Sequence, residues 1–425
     1  MSDPWVLVAL LSALAVVGVG TLVWGTAGLA RSTARLLRRR PPATDPALTV
    51  DDVAVLIAAH NEALVLQGTI DSARRHVRAD QVFVVSDGST DATVAIARAA
   101  GVNVLALDPN RGKAGAIAAA VERFGLERRF AVVLLLDADT VLSDDYFATG
   151  LPLFAAPDVV AVAGRASTRH ARGAGGVVAA VLTAYRQRVY LVMQWAMKYG
   201  QAARAANAVS IVPGFASMYR SHVLATVDIA APGLTIEDYN VTFEIHAREL
   251  GRIAFHPRAA VAYTQDPATL RDYAKQVARW SLGFWQTVRR HPWRPRVFWV
   301  ALWAHIVELV IAAVAVLLVL PLAALSLVAS AIVAIAGPVD AAAADAVAAA
   351  LPPGALVVGV LAPDLVLTLW LAVAMRRPVV LLFGLVFPFI RMLDAAMCLR
   401  AVARAFRRGA TGVWVSPVRR AAGSQ

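Results

Sequence analysis

The sequence predicts an α/β domain built on a doubly wound, mostly parallel sheet and flanked at both ends by transmembrane helices. Three observations predict it. Short apolar runs rich in β-branched residues alternate with helix-like stretches between Pro41 and about Pro295. Nearly every run leads directly into polar residues. Long apolar stretches gather at the N-terminus and in the last third of the 425 residues, and at 59% hydrophobic the chain is too apolar for an ordinary soluble protein.

Residues 5–27 carry no charge and approach the roughly 20 residues that a spanning helix needs. No basic segment precedes them, so they read as a membrane helix within residues 1–30 rather than a cleavable signal. Arg31, Arg35, Arg38, Arg39 and Arg40 follow, and the cytoplasmic preference of basic residues puts Met1 outside and residue 40 inside. The expected setting is a multi-pass protein of the plasma membrane with a cytosolic domain over 45–270. The single cysteine, Cys398, excludes an intrachain disulfide. The net charge of +12 lies largely beside the apolar stretches, at 31–40, 289–296, 376–377 and 404–420. Anionic lipid headgroups or a pyrophosphate-bearing substrate explain that placement better than nucleic acid.

The strand-like runs are 53–59, 81–86, 102–107 and 131–138, with helical patterns at 92–100 and 113–124. Nearly continuous apolar strands alternating with helices imply a parallel sheet covered on both faces. Such sheets bind ligands at the carboxyl ends of their strands. There the chain places His60, Asn61 and Glu62; then Asp87, Gly88, Ser89, Thr90 and Asp91; slightly further on, Asn110, Arg111, Gly112 and Lys113; and finally Asp137, Ala138 and Asp139. Asn61 and Asp91 also suit helix caps, and Gly88 a turn. Four such clusters on one edge favour a ligand site, with Asn61 and Glu62 among its substrate-binding candidates.

On a fully extended strand Asp137 and Asp139 face the same way and offer hard oxygen ligands to Mg²⁺ or Mn²⁺. Breaking a bond to a pyrophosphate loads charge on the leaving group, and Lys113 and Arg279 are candidates to stabilise it; Lys113 also reads as a solvated first-turn residue. Residues 235–240 set Glu237 beside Asp238 ahead of an amphipathic helix. Adjacent carboxylates repel, so one holds a raised pKa or pairs with a cation, which suits a general base. A helix N-terminus favours the same acids for its own reasons.

Segment 271–296 is expected to be an interfacial helix. Gln276, Arg279 and Trp280 share one helical face at i, i+3 and i+4, while Trp285, Arg289, Arg290 and Trp293 continue toward the headgroups. Residues 297–406 hold two expected spans. Their ionisable groups are His305, Glu308 and Asp364, and Pro321 is expected to break the first helix. The 378–404 segment reads as amphipathic and interfacial, and 407–425 as a basic cytosolic tail.

In order, Asp87 in SDGSTD, Asp139 in DADT, Asp238 in TIEDYN and Gln276-Val277-Ala278-Arg279-Trp280 resemble the D, D, D, QxxRW signature of membrane-integrated family 2 glycosyltransferases, the cellulose, chitin, hyaluronan and poly-N-acetylglucosamine synthase-like enzymes. The resemblance covers roughly residues 50–290 and the flanking membrane segments. It implies a GT-A fold and inverting transfer from a UDP-sugar, of the UDP-glucose or UDP-N-acetylglucosamine type, to a growing polysaccharide. A lipid acceptor, or a catalytically inactive membrane subunit, is the alternative. By this resemblance Asp87 would hold the uracil, and Asp137 and Asp139 would meet the nucleotide and its metal, Mg²⁺ or Mn²⁺. Asp238, beside Glu237, would be the base. Gln276, Arg279 and Trp280 would line the acceptor end and the pyrophosphate, Lys113 in NRGKAGA would contact the nucleotide, and Gly214 in VPGFASMYR would approach the acceptor. The chain departs at Asn240, where many relatives carry a further aspartate. His305, Glu308 and Asp364 either line a sugar path or, for His305 and Glu308, pair with each other near the headgroups.

Overall fold

The computed structural model describes residues 4–37, 48–168, 176–338 and 340–407. Arg38, Arg39, Arg40 and the basic tail beyond Arg407 lie outside the described residues. The central sheet has seven strands in the order β3-β2-β1-β4-β8-β6-β9. They are β1 (Val53–Ala59), β2 (Val82–Asp87), β3 (Asn103–Leu107), β4 (Val132–Asp137), β6 (Val159–Val162), β8 (Ala216–Arg220) and β9 (Arg252–Ala254). Strands β1 to β4 pair in parallel, β1 lying between β2 and β4. Strand β8 enters antiparallel between β4 and β6. A small second sheet holds β5 (Val141–Leu142), β10 (Val261–Thr264) and β7 (Arg165–Thr168).

The uninterrupted apolar runs arise because both faces of the sheet are covered. Ala54, Leu56 and Ala58 of β1 pack into one core, and Val53, Val55, Ile57 and Ala59 into the other. The covering helices include α3 (Leu66–Arg74), α4 (Thr93–Ala99) and α5 (Gly112–Phe124). Strand order reverses between β1 and β4, the point where an open α/β sheet forms its ligand crevice. Because β8 runs against β4, the loop before it returns to that same carboxyl edge, and the Asp137 amide donates to the Phe215 carbonyl at 2.9 Å.

The N-terminal apolar segment differs from the single expected helix. It is two helices, α1 (Pro4–Val17) and α2 (Val19–Leu37), bent by 67° at the break. Gly18 sits at φ +85°, where a side chain is disfavoured, and the Glu308 carboxylate accepts from the Gly20 amide at 2.8 Å. Glu308 therefore caps the second half-helix rather than pairing with His305.

Within the domain the chain also forms α6 (Gly176–Leu191), between β7 and β8, and α7 (Glu237–Ala247), between β8 and β9; after β10 come α8 (Leu270–Arg290), α9 (Val297–Ala336), α10 (Pro353–Met375) and α11 (Phe387–Arg407). Pro321 does not end α9, which runs through it for 40 residues. In apolar surroundings a proline is tolerated because neighbouring backbone adjusts to satisfy the freed carbonyl. Two helices among the described residues, Val297–Ala336 and Ala342–Met375, are long and apolar enough to cross a membrane, and a third crossing exists if α1 and α2 count as one span. At about 1.5 Å per residue α9 runs roughly 60 Å, about twice a hydrocarbon core, so part of it extends beyond.

Helix α11 packs one face against the protein and leaves Phe389 and Phe406 exposed. Ala395, Cys398, Ala401 and Ala405 are buried, and Cys398, Ala401 and Ala405 join a core with Phe284, Trp285 and Trp299. Trp285 is likewise packed inside rather than set toward headgroups, while Arg289 donates to the Ala405 carbonyl at 2.8 Å. Trp293 remains exposed.

Candidate active site

A cavity of about 820 Å³ opens at the carboxyl edge of the sheet and reaches α8. From β4 it takes Asp137, and from the following turn Asp139. The two were expected to share an extended strand, but β4 stops at Asp137 and the Thr140 amide donates back to the Asp137 carbonyl at 3.1 Å. Both still line the cavity.

Lys113, in the first turn of α5, is an internal cation rather than a solvated residue. Its Nζ lies 2.7 Å from Asp137 Oδ1 and 2.8 Å from Glu237 Oε1. Burial alone would lower its pKa, but Asp137, Glu237 and Asp238 together hold it well above the ordinary lysine value. The same contact separates the two adjacent acids at the start of α7. Burial raises Glu237, yet Lys113 more than offsets this and keeps it below the usual carboxylate range. Burial and the charge of Glu237 push Asp238 up to about 8, against the pull of Lys113 and the Gly214 amide. Neighbouring carboxylates with divergent affinities for a proton are the arrangement general-base chemistry needs.

Gly214 belongs to the loop that β8 returns to this edge. A Cβ built there would lie 2.2 Å from Asp238 Oδ1, so the close approach requires glycine.

The other side of the cavity is α8, which contributes Gln276, Arg279 and Trp280 as their helical spacing predicts. Asn240 does not reach it. Fully buried, it donates to the Asp228 carbonyl at 2.6 Å and bonds His291 Nε2 at 3.0 Å, which is a packing role.

Three candidates sit at the same edge but outside the cavity lining. Asp87, fully buried at the end of β2, accepts from the Arg111 amide at 2.7 Å, so it braces the loop that presents Arg111 and Lys113. Asn61, at φ +55°, accepts from the Thr90 amide at 2.8 Å. Glu62 is buried, and its amide donates to Thr93 at 2.9 Å. Asn61 and Glu62 therefore hold the 88–93 loop in shape.

Sequence reasoning missed Arg186, Tyr190 and Lys198, which also line the cavity. Arg186 and Tyr190 come from α6, and Lys198 from a π-helical turn at Val192–Lys198, an irregularity common at functional sites. Lys198 is buried, and that burial lowers it to about 8 with only Asp238 pulling it back. The available signal was a pair of arginines inside the apolar run GVVAAVLTAYRQRVYL, since buried charge is costly enough to mark a site.

Fold and cavity together define an α/β protein whose cavity opens at the carboxyl ends of its parallel strands. Residues 51–283, more than half of the chain, match the family described as "Glycosyltransferase like family 2", and the protein belongs to that family. It is a glycosyltransferase with a GT-A-like fold. Among curated proteins it is similar to poly-beta-1,6-N-acetyl-D-glucosamine synthase of Staphylococcus epidermidis, 26% identical over 254 residues, 56% of this chain and 58% of that one. The Staphylococcus aureus (strain COL) synthase is 25% identical over 248 residues, 56% of each. The chain thus spans a little over half the length of these relatives. Among solved structures it resembles the mannosyltransferase PcManGT from Pyrobaculum calidifontis, in complex with GDP-Man and Mn²⁺. That match has a TM-score of 0.52 at 20% identity and covers 94% of this chain and 99% of the other.

Proposed function

We propose that the protein transfers a sugar, with inversion, from a UDP-sugar of the UDP-glucose or UDP-N-acetylglucosamine type to a growing polysaccharide at the cytosolic face of the plasma membrane. The observation that carries this reading is the joining, in one cavity, of a buried lysine–carboxylate cluster, an acid raised to about 8, and the Gln276, Arg279 and Trp280 face. The curated synthases it resembles support the polymer and the N-acetylglucosamine donor.

Asp238 takes the proton of the acceptor hydroxyl as that oxygen attacks the sugar's anomeric carbon from the face opposite the diphosphate. The bond to the diphosphate breaks, and its electrons leave on the phosphate oxygen. Lys113 and Arg279 receive that charge. Asp87 acts on the uracil through the Arg111 loop that it braces, with Asn61 and Glu62 holding the adjoining loop.

Asp139 offers a hard carboxylate oxygen to a divalent cation. Asp139 is 7% exposed and lines the cavity, whereas no group of three or more His, Cys, Asp or Glu gathers among the described residues. Mg²⁺ or Mn²⁺ would therefore take Asp139 as its protein ligand, with diphosphate oxygens and water completing the shell. Bound there, it would neutralise the diphosphate charge.

The test is purified protein incubated with labelled UDP-sugars and Mg²⁺ or Mn²⁺, its products resolved by mass. A ladder of lengths is expected. A single glycolipid would replace the polymer with a lipid acceptor, and no transfer from any donor would overturn the enzyme reading. Asp238→Asn is expected to bind UDP while losing transfer.

A further inference from the structure

Resting on that reading, we propose that Arg186 is a positioning residue: it fixes the orientation of Gln276 and the usable face of Trp280, and so determines how the acceptor sugar is held.

Arg186 arises outside α8, yet its side chain, 4% exposed, is spent on it. One guanidinium nitrogen donates to Gln276 Oε1, and another donates to the Tyr190 hydroxyl. Its Cζ lies 4.6 Å from the centre of the Trp280 ring. Behind it the Asp266 carboxylate, also buried, is 3.1 Å from Nε and balances the charge. A planar fork serves these partners at once, which the single ammonium of lysine does not.

Two consequences follow for the cavity. With Oε1 of Gln276 engaged, its NH₂ group is the part left to face a ligand, and it recognises an acceptor oxygen such as a sugar hydroxyl. With one face of Trp280 covered by the cation, a sugar ring can stack only on the other. Arg186 thus joins two side chains of α8 into one oriented acceptor seat, while Lys113 and Asp137 line the same cavity from the sheet side.

The test separates transfer from donor hydrolysis. Arg186→Gln and Asp266→Asn are each expected to lower transfer at least tenfold with a raised acceptor KM. UDP affinity and slow hydrolysis of the UDP-sugar by water should stay within twofold of wild type. Arg186→Lys should not rescue. Gln276→Glu keeps a partner for Arg186 but removes the NH₂ group; it should fold normally and raise the acceptor KM at least tenfold, so the inference is testable even if the Arg186 variants do not fold. Transfer by Arg186→Gln or Gln276→Glu within twofold of wild type would overturn the proposal, as would parallel loss of transfer, UDP binding and hydrolysis in a folded variant. Absence of transfer by the wild type would instead count against the proposed function.

Discussion

The Lys113 ammonium lies 2.8 Å from the Glu237 carboxylate, and this contact keeps Glu237 ionised while its neighbour Asp238 is raised to about 8. A base must be deprotonated to act. Transfer should therefore rise with pH, falling about tenfold per unit below 8 and levelling above it. Of the two charges acting on Asp238, that of Glu237 is the larger and raises it, so Glu237→Gln should move this limb to lower pH. The check is a pH profile of kcat/KM for wild type and variant; a limb unmoved by the substitution would separate Glu237 from the control of Asp238.

Gly214 leaves room for Asp238 and nothing more. Since a methyl group there would fall 2.2 Å from Oδ1, Gly214→Ala must displace the carboxylate or the loop. A displacement of about 1 Å at the reacting groups can cost on the order of 10²-fold in rate. The expected result is a kcat lowered by about that factor with donor KM changed little, measured by steady-state kinetics. An unaltered kcat would show that the loop yields instead.

How much of this was legible in the sequence depended on the range of the interactions. Residues 53–59 coincide with β1 because burial on both faces leaves no polar position to blur the run. The polar clusters after each run marked the carboxyl edge, and helical spacing placed Gln276, Arg279 and Trp280 on one face. What was lost depends on partners far apart in the chain. The bond from Arg186 to Gln276 spans 90 residues, and that from Glu308 to Gly20 spans 288. Trp285 was misplaced for a related reason: α8 is covered along a second side by α11, which local periodicity does not reveal. Asp87 sits at the strand end, where expected, but its fully buried side chain braces the Arg111 loop from within.

The cap at the N-terminal break predicts a graded loss of stability. Glu308→Gln keeps an acceptor for the Gly20 amide, whereas Glu308→Ala leaves a part-buried donor unmet, at a cost of about 1–3 kcal/mol. Gly18→Ala combines a disfavoured backbone with a Cβ 1.9 Å from Glu308 Oε1 and should be at least as damaging. Melting temperatures in detergent should follow the order wild type, Glu308→Gln, then the two alanine variants. Equal melting temperatures for Glu308→Gln and Glu308→Ala would show that the cap contributes nothing.

Asp364 supplies the last prediction. It lies in the apolar helix α10, 2% exposed, and its Oδ2 is 2.6 Å from Arg188 Nη1, with Arg391 Nη1 4.0 Å from the other oxygen. The Arg188 side chain is 5% exposed, so the pair is closed off from water and bridges α6 to α10. Removing one member of a buried pair strands the other charge, typically at about 3–5 kcal/mol, whereas replacing both with apolar residues of similar size is often neutral. Asp364→Leu should therefore strongly destabilise the protein to heat in detergent, and Arg188→Leu combined with Asp364→Leu should recover most of the loss. If the pair only holds the helices together, the double variant regains transfer along with stability. Regained stability without transfer would give the charges a part in the path of the growing chain.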